Sequence, residues 1–580
     1  MEDIQATAGL DLTGTFQEQL QASTAGDDWR SELAFPCLTE EMVARIRPYG
    51  RELVLRAGEI LYRCGDIDIG TFVVLEGGID VTLPLANGRS KITGRHRKFN
   101  FTGEFNLLNS QRAVVQAETI CPSTLLYIVK KDLQRLMSAE GDIANLIVQA
   151  AILRRIAILN ETSSGVTLRG HADDAQTNRL RRFFVRNSYP YHLEEVSKLT
   201  SPEDGDLPSV SLSDGRILTR PTIPELADEL GITELPNPEI VYDVAVVGAG
   251  PAGLAAAVYA ASEGLCTIVI EGLAPGGQAG TSSKIENYLG FPTGVGGQEL
   301  ASRAQFQALK FGVHFAISRD AATVKAIEGL HRLTLVGGTQ VSSRAIVVAS
   351  GAQYRKLEVR NHERYENCGL FYAATPMESQ LCRDKDIIVI GGGNSAGQAS
   401  IFLSGFARHI YHIVRSPSLD VSMSRYLISR IESSSRITLC TDCEIISLDG
   451  EPALQSVTWM NRKTGDRMQR QISSVFVMIG ANPNSGWLFG SVCLDNKGFI
   501  LTGGNDGFER TPYATSAPGI YAVGDVRAHS VKRVASAVGE GSVVISDVHR
   551  YLAGQREAEK ARQVTQETYT VNGHTDLAQR

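Results

Sequence analysis

The sequence predicts a multidomain α/β protein: two Rossmann-like units preceded by a small β-roll and a short mixed α/β domain. Three observations predict it. A β-branched run, Tyr242–Val247, leads into a Gly-rich turn and an Ala-rich helix, and a second run, Ile387–Ile390, does the same. Upstream, short β-rich runs separated by turn signals fill the stretch from Leu53 to Leu126, the mark of a small barrel or roll. A length of 580 residues accommodates this architecture, since domains average roughly 100–200 residues.

Composition narrows the function. Lys+Arg 57 against Asp+Glu 64 leaves a net charge of −7, and no long basic run is present, so nucleic acid is not an expected partner. The uncharged stretch Val244–Ser262 has Gly248, Gly250, Pro251 and Gly253 near its centre. It reads as a buried strand turning into a buried helix, not as a membrane span. Nine cysteines, scattered and odd in number, together with the lack of a secretion-type leader, lead us to expect free thiols in a reducing cytoplasm.

Taken in order, residues 1–34 form a polar leader without a clear period. The strands expected in the β-roll are Glu59–Tyr62, Thr71–Leu75, Ile79–Leu83 and Thr124–Ile128, with Glu76-Gly77-Gly78 and Ala86-Asn87-Gly88 as turns, and Lys131–Leu159 follows as helix. The segment Val166–Ile232 reads strand, helix, strand, Pro-bearing turn, strand, helix. From Ile240 onward strands and helices alternate.

Each Gly-rich turn carries a specific chemistry. In the first, Gly248 permits the tight turn, Gly250 lets a pyrophosphate approach the backbone, and Gly253 lets helix and strand pack closely, with Pro251 and Ala252 opening the helix. Amide groups at that helix start favour an anion. The next strand ends at Glu271, whose carboxylate can accept from ribose hydroxyls. The second turn is Gly391-Gly392-Gly393-Asn394-Ser395-Ala396, with Ala in the third Gly position. At the matching strand end stand Val414 and Arg415, with no acid, and an arginine there suits a 2′-phosphate, favouring NADPH over NADH.

Across residues 240–555 the chain resembles the low-molecular-weight thioredoxin reductases. The resemblance is carried by Gly276-Gly277-Gln278, Ile285-Glu286-Asn287-Tyr288-Leu289-Gly290-Phe291-Pro292, Val477-Met478-Ile479-Gly480 and Gly519-Ile520-Tyr521-Ala522-Val523-Gly524-Asp525. It implies FAD on the first turn, with Glu271 at the adenosine ribose and Gly277, Gln278, Asn287 and Gly351 near the cofactor. It implies Gly524 and Asp525 at the ribityl chain, and Arg533 with Val534 beside the flavin. It also implies NADPH on Gly391, Gly393, Asn394, Ser395, Ala396 and Arg415, in a domain at 357–483 inserted between two halves of an FAD domain at 240–356 and 484–555. Residues 556–580 are left as a tail.

One departure decides the chemistry. In that family a Cys-x-x-Cys before the second turn carries electrons onward, and here Ala373 and Pro376 occupy both positions. No thiolate can form there, so no catalytic residue is assigned. Cys440-Thr441-Asp442-Cys443 could pair only in a turn, because in a strand its cysteines face opposite ways. Cys368 and Cys382 bracket the altered stretch. The family's double arginine is reduced to Arg415, with Arg425 and Arg430 further on.

Residues 35–160 resemble a cyclic-nucleotide-binding β-roll through Gly58-Glu59-Ile60-Leu61, Gly65-Asp66, Gly77 and the cassette from Phe101-Thr102-Gly103-Glu104 to Arg112-Ala113. The resemblance implies Glu104 on a ribose hydroxyl and Arg112 on the cyclic phosphate, with Gly103 and Ala113 beside them. The cassette loop is slightly short, and Val114 stands where a small residue is usual. Residues 164–235 resemble a glutaredoxin-type domain, with Leu207-Pro208-Ser209-Val210 as its cis-proline turn. Its active-site loop, Gly170-His171-Ala172-Asp173-Asp174, holds no cysteine, so it is read as a spacer or recognition surface.

The expectation is an FAD-dependent NAD(P)H oxidoreductase, homodimeric and without a metal site, possessing a regulatory β-roll. Its electron acceptor is a protein disulfide, a quinone or oxygen. The alternatives are a thioredoxin reductase using displaced cysteines and a non-catalytic FAD-containing sensor.

Overall fold

A computed structural model of the chain describes residues 33–575, apart from 68, 86–88, 104–111, 160–165, 173, 197–205, 213, 283, 367, 375, 452 and 505–510. It divides into two compact units, residues 1–234, 273–310 and 353–482 in one and residues 235–272, 311–352 and 483–580 in the other.

In the first unit, helix α1 (Glu40–Ile46) is started by the Thr39 side chain accepting from Met42 N–H. Eight strands follow: β1 (Arg51–Leu55), β2 (Ile60–Tyr62), β3 (Thr71–Glu76), β4 (Ile79–Pro84), β5 (Ser90–His96), β6 (Phe101–Thr102), β7 (Gln116–Thr119) and β8 (Ser123–Ile128). They form two antiparallel sheets, ordered β1-β8-β3-β6 and β2-β7-β4-β5. In β4 the alternation is plain: Ile79, Val81 and Leu83 are buried, while Asp80 and Thr82 are only partly so. The turn between β3 and β4 requires glycine, since Gly77 has φ +87° and a Cβ would lie 2.2 Å from Ser123 Oγ. The expected helix after β8 is two helices, α2 (Lys130–Ala139) and α3 (Gly141–Leu159). Glu140 leaves helical geometry at φ −115°, ψ 81°, and Arg45 ties it to Asp142 across the break.

A small mixed sheet comes next, built from β9 (Thr167–Gly170), β10 (His192–Glu195), β11 (Ser209–Ser211) and β12 (Ile217–Thr219) in the order β10-β9-β11-β12. Only β10 and β9 are parallel. Helix α4 (Ala175–Arg186) lies between β9 and β10 in sequence, capped by Asp174, and buries Leu180, Phe183 and Phe184. It sits close to β9, because a Cβ on Gly170 would lie 2.4 Å from Thr177 Oγ1. Helix α5 (Ile223–Glu229) starts with a Thr222/Glu225 capping box. The Leu207–Pro208 peptide is cis.

The second unit is organised by a seven-stranded sheet. Its strands are β13 (Val241–Val247), β14 (Thr267–Glu271), β15 (His314–Ile317), β16 (Ala321–Ile327), β17 (Leu330–Leu335) and β18 (Gln340–Val348), in the order β15-β14-β13-β18-β17-β16, with Ile520–Ala522 beside β18. Helix α6 (Pro251–Ser262) is apolar all round and nearly wholly buried, as a helix covered on both sides must be. Between β14 and β15 the chain contributes helix α7 (Gly297–Lys310) to the first unit. Segment 273–310 is held there by Asn187 Nδ2 donating to Leu273 O at 3.2 Å and Gln298 Nε2 donating to Arg186 O at 2.9 Å.

The rest of the first unit is a parallel sheet of β19 (Leu370–Phe371), β20 (Asp386–Ile390), β21 (His409–Ile413), β22 (Ile437–Cys440) and a later strand at Val475–Val477, which lies between β19 and β20. Helices α8 (Pro376–Leu381), α9 (Asn394–Leu403) and α10 (Arg425–Glu432) accompany it. Ile387, Val389, Leu403, Ile410 and Leu427 share its core. A three-stranded antiparallel sheet, β23 (Cys443–Asp449), β24 (Ser456–Asn461) and β25 (Arg467–Gln471), follows β22. The second unit also holds α11 (Val534–Thr575), a helix that continues into residues the sequence reads as a tail. Glycine lets α11 meet α6: a Cβ on Gly541 would lie 2.1 Å from Ala252 O.

Candidate functional site

In the second unit, several loops converge on the N-terminus of α6. Gly248 turns the chain at φ +105°, where a Cβ would lie 2.3 Å from Ala349 O. A Cβ on Gly253 would lie only 1.8 Å from Gly248 O, so glycine is what lets α6 start directly over the turn. Gly250 is the extended N-cap and Pro251 occupies the first turn. Ala252, the other helix-opening residue, packs against Gly524, whose Cβ would be 3.0 Å from that of Ala252. The Glu271 carboxylate accepts the Ala249 N–H at 2.8 Å, fixing the turn to the end of β14. Gly351 has φ +65° and open space where a side chain would stand. Burial raises the pKa of Asp525, next to Gly524. Arg533 is exposed, and Val534 begins α11.

Helix-start amides, glycines that admit a backbone-hugging ligand, and two carboxylates suited to sugar hydroxyls form a cradle that fits a pyrophosphate-linked dinucleotide such as FAD. Gly277, Gln278 and Asn287 lie in the other unit. There Gly277 O accepts from Arg186 Nη2 at 3.0 Å, Gln278 caps a 3₁₀ turn at Ala279–Thr281, and Asn287 is exposed.

The second turn follows β20. Gly391 has φ +138°, and a Cβ would lie 2.2 Å from Met478 O. Gly393 caps α9 in an extended conformation with open space beside it. Asn394 Oδ1 accepts from Ser424 N–H at 2.7 Å, Ser395 is exposed, and Ala396 is buried. Arg415 stands exposed at the end of β21 with no carboxylate partner among the described residues. Arg425 pairs with Asp420 at 3.0 Å, and Arg430 faces Glu286 at 3.5 Å.

Two supports escaped the sequence reading. His412, fully buried in β21, bonds Gly391 O through Nε2 at 2.8 Å and Ser400 Oγ through Nδ1 at 2.8 Å. A carbonyl only accepts, so Nε2 carries the proton and Nδ1 accepts from Ser400. Burial lowers the His412 pKa and keeps the ring neutral. The other support is Glu540, which accepts the Gly524 N–H at 2.6 Å. Both are paired at positions far apart in sequence, and neither leaves a spacing pattern.

In the β-roll, a cavity of about 450 Å³ is lined by Tyr62, Asp66, Phe72, Tyr127 and Arg112 among others. Arg112 Nη1 donates to Gly65 O at 3.1 Å, while its Nε is buried without a hydrogen-bond partner among the described residues. Gly103 has φ +93°, and a Cβ there would lie 2.2 Å from Gly70 O. Ala113 is buried and exchanges backbone bonds with Gly65 and Asp66. Glu104 lies outside the described residues.

The family model for pyridine nucleotide-disulphide oxidoreductases matches residues 242–541, spanning both turns. The chain belongs to this family. A cyclic nucleotide-binding domain model matches residues 52–140. The chain is 35% identical over 317 residues to a thioredoxin reductase of Mycolicibacterium smegmatis, covering 55% of this chain and 98% of the relative. It is 31% identical to a bifunctional thioredoxin reductase/thioredoxin of Mycobacterium leprae (strain TN), covering 58% of this chain and 70% of that one. The crystal structure of Lactococcus lactis thioredoxin reductase superposes with a TM-score of 0.50 at 28% identity, covering 54% of this chain and 99% of that one.

The protein is therefore an FAD-dependent NAD(P)H oxidoreductase of the thioredoxin reductase-like type, with FAD and NADPH as its cofactors. Between β18 and Gly391 its cysteines are Cys368 and Cys382, and no Cys-x-x-Cys precedes the second turn. Cys382 is buried, its Sγ donates to Glu378 O at 2.9 Å, and desolvation pushes its thiol up to about 12. Cys368 donates to Arg364 O at 3.1 Å. Cys440 and Cys443 are free thiols on either side of a tight turn at Asp442 (φ +54°), and burial raises both, Cys440 to about 11. Ala373 is buried. Among the described residues no helix is long and apolar enough to cross a membrane.

Proposed function

We propose that this chain takes hydride from NADPH and delivers the electrons from its flavin directly to an acceptor, without a dithiol relay. FAD, when bound, supplies the ring that accepts hydride and passes electrons on. The chain's own residues bind and orient. When FAD is bound, the first turn would hold its pyrophosphate, Glu271 and Asp525 would take sugar hydroxyls, and Arg533 and Val534 would serve its flavin end; Gly277, Gln278 and Asn287 are the further cofactor residues that the resemblance implies. The second turn holds the nicotinamide dinucleotide, and Arg415 takes the 2′-phosphate. The observation that carries the reading is the state of the thiols. Each cysteine near the second turn is held as a protonated thiol or a carbonyl-bonded one, and a thiol is a poor nucleophile beside a thiolate. Acceptors that need no protein thiol are a quinone, oxygen or a partner's exposed disulfide.

The test is anaerobic titration with NADPH, followed by candidate acceptors. Bleaching at one NADPH per flavin with rapid reoxidation by a quinone supports the reading. Efficient turnover of thioredoxin that disappears when the cysteines are replaced would overturn it.

For the β-roll, we infer an anionic ligand of the cyclic-nucleotide class. A buried guanidinium nitrogen without a partner among the described residues, in a pocket with aromatic walls, suits a phosphate attached to a flat base. Calorimetry with cyclic AMP and cyclic GMP tests it, and Arg112→Ala should abolish the heat.

A further inference from the structure

We propose that the small α/β domain at residues 166–232 transmits the state of the β-roll pocket to the oxidoreductase, through Gly231 on Arg112 at one end and through Arg182 on Glu378 and Arg186 on Gly277 at the other. The proposal rests on reading the β-roll cavity as an anion site.

The first contact is set by the end of α5. Gly231 N–H donates to Asp228 O and Ile232 N–H donates to Ala227 O, the paired bonds of a Schellman ending. Gly231 therefore sits at φ +65°, and a Cβ there would lie 2.6 Å from Arg112 Cγ and 3.1 Å from Arg112 N. The end of α5 is seated on both backbone and side chain of Arg112, a cavity residue whose buried Nε has no hydrogen-bond partner among the described residues. When Arg112 turns toward an anion, its Cγ moves, and close-packed neighbours such as Gly231 must follow or resist.

The other end of the domain is α4. Arg182 Nη2 pairs with Glu378 Oε1 at 2.9 Å, and the Glu378 side chain is 1% exposed. A carboxylate so buried holds its counter-charge closely, so parting α8 from α4 would take this guanidinium away from it. One turn further along, Arg186 Nη2 donates to Gly277 O at 3.0 Å. The Arg186 backbone carbonyl in turn accepts from Gln298 of α7 at 2.9 Å. Helix α4 thus grips the loop that carries Gln278 and the helix that leads into the second dinucleotide fold. A domain without cysteines, whose two ends hold a ligand pocket and a cofactor loop, has the connectivity of a coupling element. The coupling itself is a free energy that must be measured.

The experiment uses the full chain with FAD bound and follows flavin reduction by NADPH in a stopped-flow instrument, with and without cyclic AMP or cyclic GMP. Allosteric couplings are typically about 5- to 150-fold, so the nucleotide that binds should change the reduction rate at least about fivefold. In Arg182→Met/Glu378→Gln, which removes both charges of the latch pair, binding by calorimetry should persist while the rate response falls below about twofold, well under that range. An undiminished response in this double variant overturns the proposal. If neither nucleotide binds, the anion-site reading fails, and the coupling is read without ligand. Gly231→Val, pressing on Arg112, and the double variant should then each shift the reduction rate per bound flavin, and parent-like rates in both would overturn the coupling.

Discussion

Glu540, which is buried, and Arg527, which is partly so, form an ion pair at 2.6 Å, and the same carboxylate accepts the Gly524 N–H at 2.6 Å. Helix α11 thereby fixes the turn that presents Asp525, with the guanidinium neutralising a carboxylate that would otherwise stand desolvated beside it. Removing one partner from a fully buried pair costs about 3–5 kcal/mol because the other charge is left uncompensated, and a partly buried pair such as this one costs less. Glu540→Ala should lower thermal stability and reduce the FAD content of the purified protein. Arg527→Met/Glu540→Gln should recover much of the stability but less of the FAD content, because the anchoring of Gly524 is weakened. Differential scanning fluorimetry and absorbance near the flavin band read the two effects separately.

The first turn makes a stricter demand. Gly248→Ala places a methyl group 2.3 Å from a backbone carbonyl at positive φ, a conformation that costs roughly 1–3 kcal/mol before the clash is counted. The variant should purify colourless. Full flavin content would show that this turn does not hold the cofactor.

NADPH should reduce the flavin faster than NADH, because Arg415 is exposed and free of a carboxylate partner among the described residues. A hydrogen bond to a charged group contributes about 1.5–3 kcal/mol, so Arg415→Ala should cut the preference by about tenfold or more. Equal kcat/KM for the two nucleotides in the parent would remove the assignment.

Acid should destabilise the protein through its buried histidines. Burial is the largest cause lowering the pKa of His96, with Arg154 and Arg97 adding to it, and burial likewise lowers His412. Each is neutral in the fold, whereas the unfolded chain takes up a proton near 6.5, the ordinary value. The unfolded state then binds more protons, so this stability is fully present above pH 6.5 and is lost as pH falls toward the folded-state values. Melting temperature should drop between neutral pH and pH 5, and His96→Phe should flatten that slope. An unchanged slope in the variant would mean that His96 does not carry the effect.

Thioredoxin should be a negligible substrate. Replacing Cys368, Cys382, Cys440 and Cys443 together by Ser should leave quinone-dependent NADPH oxidation within about twofold of the parent, the size expected of small packing changes at buried thiols. A large loss of quinone activity with flavin retained would assign a catalytic role to one of these thiols.

What the sequence by itself determined is local. Gly248, Gly250 and Gly253 announce the first turn, and Gly391 and Gly393 the second, because a dinucleotide turn demands particular backbone torsions within six consecutive residues. The β-roll strands are legible for the same reason, through the period-two burial of Ile79, Val81 and Leu83. The absence of a Cys-x-x-Cys before the second turn is likewise a matter of reading neighbours. Tertiary structure decided what depends on pairs remote in the chain. Folding joined His412 to Gly391, Glu540 to Gly524, Arg182 to Glu378 and Gly231 to Arg112. It also grouped residues 273–310 with the first unit, through side chains of α4 and its end. No spacing rule signals such pairs, because each is made by hydrogen bonding or contact across folded surfaces, and a buried polar group takes its partner from whatever the packing brings within reach.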